Sequence, residues 1–140
     1  MSYKVSGVYP NLVEDAVPKI EEHLNRVLPY TGGRYNKDDI IELLQKGSMD
    51  LWVAFNSDTR IIDGIVVTQY SIYPRKKVFT ILLCSGVNMD DWYTDMLRLI
   101  ETVAKANKCD SIEVGGRKGW IKRMKQDDYL QNMWFIEKQI

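Results

Sequence analysis

The sequence is poor in the residues that build metal and redox sites. It contains two cysteines, Cys84 and Cys109, and one histidine, His23. Two thiols do not make a disulfide framework in a chain of 140 residues, which favours synthesis in a reducing compartment. No spacing of His, Cys and Asp indicates a metal site. We predict Cys84 to be an inert buried thiol. His23 is predicted to lie on the surface, since a general base needs positioned partners.

Long apolar runs and a net charge are also missing. No window approaches the apolar length of a membrane helix, and the opening MSYKVSGVYP lacks the apolar run of a signal peptide. Basic and acidic side chains number 19 each, so no global field attracts nucleic acid or a membrane. The length and the hydrophobic content of 45% predict one globular domain over residues 1–140.

The stretch of residues 78–107 organises the predicted fold. Residues 78–84 are apolar except for Thr80, a pattern typical of a central strand buried on both faces. Ser85 and Gly86 are predicted to end this strand. The backbone N–H groups of the following turn would then point outward, where an anionic ligand could bind.

A helix is predicted to follow that turn. Asn88 is expected to cap it through its side-chain oxygen, with Asp90 and Asp91 in the first turn, where the helix dipole favours negative charge. Apolar residues then recur at spacings of three and four, which predicts one buried helix face: Trp92, Met96, Leu99, Ile100 and Val103.

The remaining elements follow from periodicity and turn residues. Residues 3–8 predict a short edge strand. Residues 17–28 predict a helix with Pro18 in its first turn, and residues 37–45 a helix capped by Asn36. Strands are predicted at 49–55 and 61–72, joined by a polar hairpin turn, with a bulge at Gly64. A strand at 111–114, a helix at 118–125 and a strand at 133–140 complete the order β-α-α-β-β-β-α-β-α-β.

Five stretches resemble a known group of proteins. They are Gly32-Gly33-Arg34-Tyr35, Met49-Asp50-Leu51-Trp52-Val53-Ala54, Tyr73-Pro74-Arg75-Lys76-Lys77, Ile81-Leu82-Leu83-Cys84-Ser85-Gly86 and Gly116-Arg117-Lys118-Gly119-Trp120. With the element order, they resemble the short proteins of the GCN5-related N-acetyltransferase (GNAT) fold that bacteriophages and prophages encode. The resemblance spans most of the chain. It implies an α/β (α+β) domain, with a mixed, mostly antiparallel central sheet and helices on both faces.

The resemblance also implies where a cofactor would bind. Active GNAT enzymes carry an Arg/Gln-x-x-Gly-x-Gly/Ala loop whose amides hold the diphosphate of acetyl-CoA. Here residues 85–91 contain one glycine, no basic residue and two aspartates, whose charge would repel a diphosphate. Residues 121–124 lack the tyrosine that often acts as general acid in the superfamily, and residues 78–84 lack a glutamate base.

Two functions remain open at this point. The degenerate loop favours a non-catalytic virion, assembly or protein-interaction module without a cofactor, in a virion or the host cytoplasm, with other phage proteins or itself as partner. The alternative is an N-acyltransferase that binds acetyl-CoA in an altered site, through the amides of Gly86, Val87 and Asn88 and the cations of Arg117 and Lys118. No catalytic residue is assigned in either case.

Two basic stretches allow two interpretations. Residues 75–77 lie in one turn, and five cations lie within residues 117–125, around Trp120. Both could flank a cleft and contact an anion or nucleic acid by neutralising phosphates. They could equally be a charged hairpin and a solvated helix face, which is the usual environment of charge runs. With zero net charge, nucleic-acid binding is not the favoured prediction.

Overall fold

The computed structural model describes residues 2–116, 118–131 and 135–140. Within them, five strands form one sheet in sequence order: β1 (Tyr3–Val8), β2 (Asp50–Asn56), β3 (Ile62–Ile72), β4 (Lys77–Gly86) and β5 (Ser111–Val114). All neighbours are antiparallel except β4 and β5, which are parallel. The mixed, mostly antiparallel sheet is confirmed, and β1 is an edge strand as predicted. The middle strand is β3, however, and β4 is the fourth of the five.

In the same described residues, four α-helices cover the two faces of the sheet. They are α1 (Val13–Val27), α2 (Lys37–Gln45), α3 (Tyr93–Ala106) and α4 (Lys118–Met124). Residues of α1 and α2 share one buried cluster with β2, β3 and β4. Residues of α3 and α4 share a second cluster on the opposite face, against β2, β3 and β4. Helices on both faces were therefore predicted correctly. No helix in the described ranges is long and apolar enough to cross a membrane.

Local capping explains why α2 begins where the sequence predicts. The Asn36 side chain accepts a hydrogen bond from the Asp39 amide at 2.8 Å, and the Asp39 carboxylate accepts from the Asn36 amide at 3.0 Å. This reciprocal capping box satisfies two amides that have no partner inside the helix. Ile40 and Leu44 then pack into the first cluster.

Helix α1 begins earlier than predicted. It starts at Val13, after a short 3₁₀ turn at Pro10–Leu12, so that Pro18 lies inside the helix and not in its first turn. A proline there removes one hydrogen bond to the preceding turn. Burial of Val13 in the first cluster offsets this cost, because it places the first turn of the helix against the sheet.

Two bulges interrupt the ladders of the described strands. Ala54 pairs with Gly64 and Phe55 pairs with Ile62, so that Asp63 is the extra residue of β3, one position before the predicted bulge at Gly64. In the same way, the pairing of β3 with β4 leaves Leu82 as the extra residue of β4. A bulge bends its strand and redirects the neighbouring side chains, and the first of these bulges shapes the candidate site.

The sequence places the end of β4 and the last strand wrongly. Ser85 and Gly86 do not interrupt β4: they remain in the ladder opposite Ile65 and Gly64, and the strand extends through Gly86. Of the strand predicted at 133–140, residues 133 and 134 lie outside the described residues. Residues 135–140 form no strand. Apolar alternation predicts a strand only if a neighbouring edge pairs with it, and in the described residues this segment has none.

Candidate functional site

The turn between β4 and α3 is the candidate anion site. Gly86 is the last residue of β4, and Asn88 adopts a left-handed backbone conformation with φ 54°. A 3₁₀ turn at Met89–Asp91 follows, and α3 begins at Tyr93. Asp90 and Asp91 thus lie at a helical start, as predicted, but in a separate short turn that precedes α3.

The predicted cap at Asn88 is wrong. Its side chain makes no capping hydrogen bond, and its amide donates instead to the Tyr3 hydroxyl at 3.2 Å and to the Asp63 carboxylate at 3.5 Å. Tyr3 in turn donates to Asp63, and this bond raises the pKa of the tyrosine hydroxyl. The extended backbone that a cap residue needs is absent at Asn88, and the Tyr3–Asp63 pair offers its side chain two acceptors.

The backbone beside Gly86 is closely packed. The Val87 amide donates to the Asp63 carbonyl oxygen at 2.8 Å. This amide of the turn is therefore already hydrogen-bonded to the bulge residue of β3. A Cβ atom on Gly86 would lie 2.5 Å from that same oxygen and 2.7 Å from the Gly64 Cα. Such distances exclude any side chain, and they close the approach of a ligand from this side of Gly86.

The Trp92 side chain holds the turn in place. Its indole N–H donates to the Val87 carbonyl oxygen at 2.9 Å, and the side chain is only 1% exposed. The ring lies against both Gly64 and Gly86: a Cβ atom would approach it to 2.2 Å at Gly64 and 2.9 Å at Gly86. The two glycines therefore make room for the indole, which holds the turn to the end of the sheet.

A salt bridge connects the turn to α4. The Arg123 guanidinium lies 2.7 Å from the Asp90 carboxylate, whose side chain is 88% exposed, and 5.0 Å from the centre of the Tyr93 ring. The Tyr93 hydroxyl donates to Asp127 at 3.0 Å, and burial together with this bond raises the pKa of Tyr93. These contacts join the start of α3 to α4 and the residues that follow it.

A cavity of about 460 Å³ lies between the start of α3 and α4. Its lining includes two carboxylates, Asp90 and Asp127, and two cations, Lys122 and Arg123. The other lining residues are Tyr93, Thr94, Gly119 and Gln126. A second cavity of about 400 Å³ adjoins it and is lined by Met89, Gly119, Trp120 and Arg123. Both cavities lie beside the turn, so the α4 region does face the predicted site.

The structure describes only part of the predicted cationic site at Arg117 and Lys118. Arg117 lies outside the described residues, and Lys118 is described only as the first residue of α4. Arg123, one of the five cations of the predicted basic stretch, makes the observed ion pair with Asp90. Residues 75–77 lie at the β3–β4 hairpin, at the opposite end of β4 from the turn, so the two basic stretches do not flank one cleft.

His23 and Cys84 differ from expectation. His23 is buried, contrary to the predicted surface position: its Nε2 lies 2.9 Å from the Ile62 carbonyl oxygen, and its Nδ1 has no partner among the described atoms. The reason is its spacing of three from Ile20, which places it on the buried face of α1. Cys84 is half-buried rather than fully buried. No cluster in the described part of the chain could hold a metal ion.

The sequence analysis missed a polar network on the sheet. Thr80 and Tyr73 both donate to the Glu113 carboxylate, at 2.8 and 3.1 Å, and the Ser71 hydroxyl lies 2.8 Å from that of Thr80. No glutamate lies on β4 itself, but the parallel register of β5 places Glu113 beside Thr80. That register is invisible in the sequence, because it depends on how α3 returns the chain to the sheet.

We expect Asn88→Asp to lower the free energy of unfolding by about 1 kcal/mol, as judged by chemical denaturation. The new carboxylate would lose the two donated bonds and face Asp63, and a lost hydrogen bond costs about this amount. Asn36→Asp is the matched control. It replaces a true cap, where the two residues are nearly equivalent, and should stay within about 0.5 kcal/mol of wild type. Equal effects of the two substitutions would indicate that Asn88 acts as a helix cap, as Asn36 does.

Comparison with known proteins assigns the fold. No family model matches the chain, and no curated protein matches its sequence. Among solved structures, an aminoglycoside acetyltransferase from an uncultured soil metagenomic sample aligns with 100% of this chain and 99% of its own, at 16% identity and TM-score 0.71. A ribosomal-protein-alanine N-acetyltransferase from Brucella melitensis biovar Abortus 2308 aligns over 99% and 100%, at 9% identity and TM-score 0.72.

A third structure extends the likeness. A GNAT family acetyltransferase from Staphylococcus aureus aligns with 100% of both chains, at 15% identity and TM-score 0.65. At these identities the likeness concerns the backbone, and fold alone does not assign an activity. The chain therefore has the fold of the GNAT acetyltransferases.

Proposed function

We propose that this chain is a GNAT-fold protein that does not use acetyl-CoA and serves as a protein-interaction module. The sequence resemblance suggests a phage virion or assembly protein, with other phage proteins or itself as partner. The observation that carries the proposal is the closed turn after β4. Its Val87 amide already donates to Asp63, and Gly86 is packed against Gly64 and Trp92.

The charge of the turn supports the same function. Asp90 presents an exposed carboxylate at the mouth of the cavity, where it would repel a diphosphate. Arg123, a cation that lines the same cavity, is already paired with Asp90. A ligand phosphate would have to break this pair and would still face Asp90. The residues of the turn therefore do not fit the diphosphate of acetyl-CoA as an open glycine-rich loop would.

Two observations favour the alternative, an N-acyltransferase with an altered site. The Asn88 side chain does not cap the turn, and a cavity of about 460 Å³ that Lys122 helps to line lies beside the turn. In that case the remaining amides at Gly86 and Asn88 would contact the cofactor, with Arg117 and Lys118 supplying positive charge. The chain would then act mainly by holding the acceptor amine against the thioester.

Isothermal titration calorimetry with acetyl-CoA tests the proposal. We expect no binding in the micromolar range. The double substitution Asp90→Asn and Asp91→Asn should leave the affinity for acetyl-CoA unchanged or raise it, because it removes two negative charges that repel the diphosphate. Micromolar binding by the wild type together with acetylation of any amine would overturn the proposal. If binding occurs, the double reversal of Arg117 and Lys118 to Glu decides the site: unchanged affinity would contradict the altered-site alternative.

A further inference from the structure

The cavity between the start of α3 and α4 is lined by charged groups of which only some are paired. Asp90 and Arg123 form a salt bridge with each other at 2.7 Å. Lys122 and Asp127 also line the cavity, but neither takes part in a salt bridge between described residues. Asp127 accepts one hydrogen bond, from the Tyr93 hydroxyl at 3.0 Å. The cavity therefore presents one ammonium and one carboxylate, each without a partner of opposite charge in the part of the chain that the structure describes.

An apolar wall adjoins these two charges. The second cavity, of about 400 Å³, is lined by Met89 and Trp120, which are half-buried against the second core cluster. Gly119 and Arg123 line both cavities, and a Cβ atom on Gly119 would meet nothing within 4 Å. The space beside Gly119 is therefore open between the charged lining and the apolar one. Small-molecule sites combine apolar walls with a few placed polar groups in the same way, and have volumes in this range.

We propose that the two cavities together bind a small zwitterion with an apolar group, of which a free apolar α-amino acid is the simplest example. The ligand carboxylate contacts Lys122, the ligand ammonium contacts Asp127, and the apolar group packs against Met89 and Trp120. Such a ligand pairs both charges of the cavity at once. A plain anion would instead face Asp127 with the same sign of charge, and a plain cation would face Lys122 in the same way.

The charges that oppose a diphosphate favour this ligand. Asp90 repels phosphate oxygens, but Asp90 and Asp127 both attract an ammonium group. Arg123 keeps its salt bridge, since Lys122 is a second cation in the same lining. The Arg123 guanidinium also lies 5.0 Å from the centre of the Tyr93 ring, so the two walls are joined before a ligand binds. A preformed site loses less conformational freedom on binding. This inference goes beyond the proposed function, because it assigns a ligand to a cavity that the interaction role does not use.

Titration of the full chain with L-phenylalanine, followed by the amide chemical shifts in NMR spectra at low ionic strength, tests the inference. Lys122 and Asp127 are both exposed, so water screens their charges, and we expect a dissociation constant of about 1 mM. Two compounds with the same ring lack one charge each: phenylpropanoate has no ammonium, and phenylethylamine has no carboxylate. Each should bind at least about tenfold more weakly than the amino acid. No acetyl-CoA is present, so the result is independent of the calorimetry that tests the proposed function.

Two substitutions assign the charges. Lys122→Gln should weaken L-phenylalanine at least about fivefold and leave phenylethylamine unchanged or tighter, because it removes a cation that repels the amine. Asp127→Asn should weaken the amino acid equally and leave phenylpropanoate unchanged or tighter. Because Asp127→Asn also alters the bond from Tyr93, Gly119→Leu supplies a second test: its side chain enters the open space that both cavities share and should block L-phenylalanine. Lys125→Gln is the matched control, since Lys125 lies in the 3₁₀ turn after α4 but lines neither cavity.

Three results would overturn the inference. The first is the absence of saturable shifts up to about 10 mM L-phenylalanine. The second is an equal affinity for the amino acid and both single-charge compounds, which would mean that the ring alone is recognised. The third is an equal loss in Lys122→Gln and Lys125→Gln, which would mean that general charge attraction, and not a site, holds the ligand.

Discussion

Trp92→Ala should lower the free energy of unfolding by about 4 kcal/mol, the usual cost of truncating a fully buried tryptophan. The indole is 1% exposed, and its removal leaves a cavity between β3, β4 and α3. It also removes the hydrogen bond to the Val87 carbonyl oxygen, which orients the turn. Urea denaturation measures the loss. Tyr9→Ala, at an exposed aromatic residue, is the control and should change stability by less than about 0.5 kcal/mol.

A double-mutant cycle shows whether the indole explains Gly64. Gly64→Ala should cost about 2 kcal/mol in the wild type, because the new methyl group would lie 2.2 Å from the ring. In the Trp92→Ala background that cost should vanish, since the methyl group then enters the cavity. Gly119→Ala, where nothing lies within 4 Å of the new atom, is the matched control. Additive losses at positions 64 and 92 would show that Gly64 has another role.

Thr68→Val should lower the free energy of unfolding by about 2 kcal/mol, because it removes a buried hydrogen-bond acceptor. The Thr68 hydroxyl accepts a hydrogen bond from the Trp52 indole N–H at 2.9 Å, and both side chains are buried. Valine keeps the shape but leaves the buried indole N–H without an acceptor, and that group then carries its full desolvation cost. Thermal or urea denaturation gives the value.

Two variants isolate the hydrogen bond. Thr68→Ser keeps the hydroxyl and loses one methyl group, so it should cost about 1 kcal/mol. Thr102→Val removes a hydroxyl on the exposed face of α3 and should stay within about 0.5 kcal/mol of wild type. If Thr68→Val were no more harmful than Thr68→Ser, a water or another group would have to satisfy the indole.

At the candidate site, neighbouring residues in the sequence predict some features of the turn, and contacts with distant residues determine the others. The sequence shows that residues 85–91 contain one glycine and two aspartates. The contacts that pack the turn closely were not visible. They arise from Asp63, whose carbonyl oxygen accepts from Val87 and whose carboxylate accepts from Tyr3. Those residues lie 24 and 60 positions apart from Asp63, so only the pairing of β1, β2, β3 and β4 brings them together.

The sequence by itself determined the features that depend on neighbours along the chain. The capping box at Asn36 set the start of α2, and β-branched alternation together with turn residues set β3 and β5. Helical periodicity identified Met96 and Ile100 on the buried face of α3, but Leu99 and Val103 are only half-buried. It did not predict the buried Tyr93, Leu97 and Ala104. Each of these signals is a local energy, worth about 1 kcal/mol or less per residue, that tertiary packing reinforces.

The tertiary structure alone decided the rest. It buried His23 against the Ile62 carbonyl oxygen, kept Gly86 in the ladder beside Trp92, and turned the Asn88 side chain toward Tyr3. It also left segment 135–140 outside the sheet, although the segment's own pattern predicts a strand. For His23, Gly86 and Asn88, contacts between distant segments outweigh a local preference, because burying a large side chain or completing a strand pair involves more free energy than a single cap or turn. Segment 135–140 instead lacks a described strand that pairs with it.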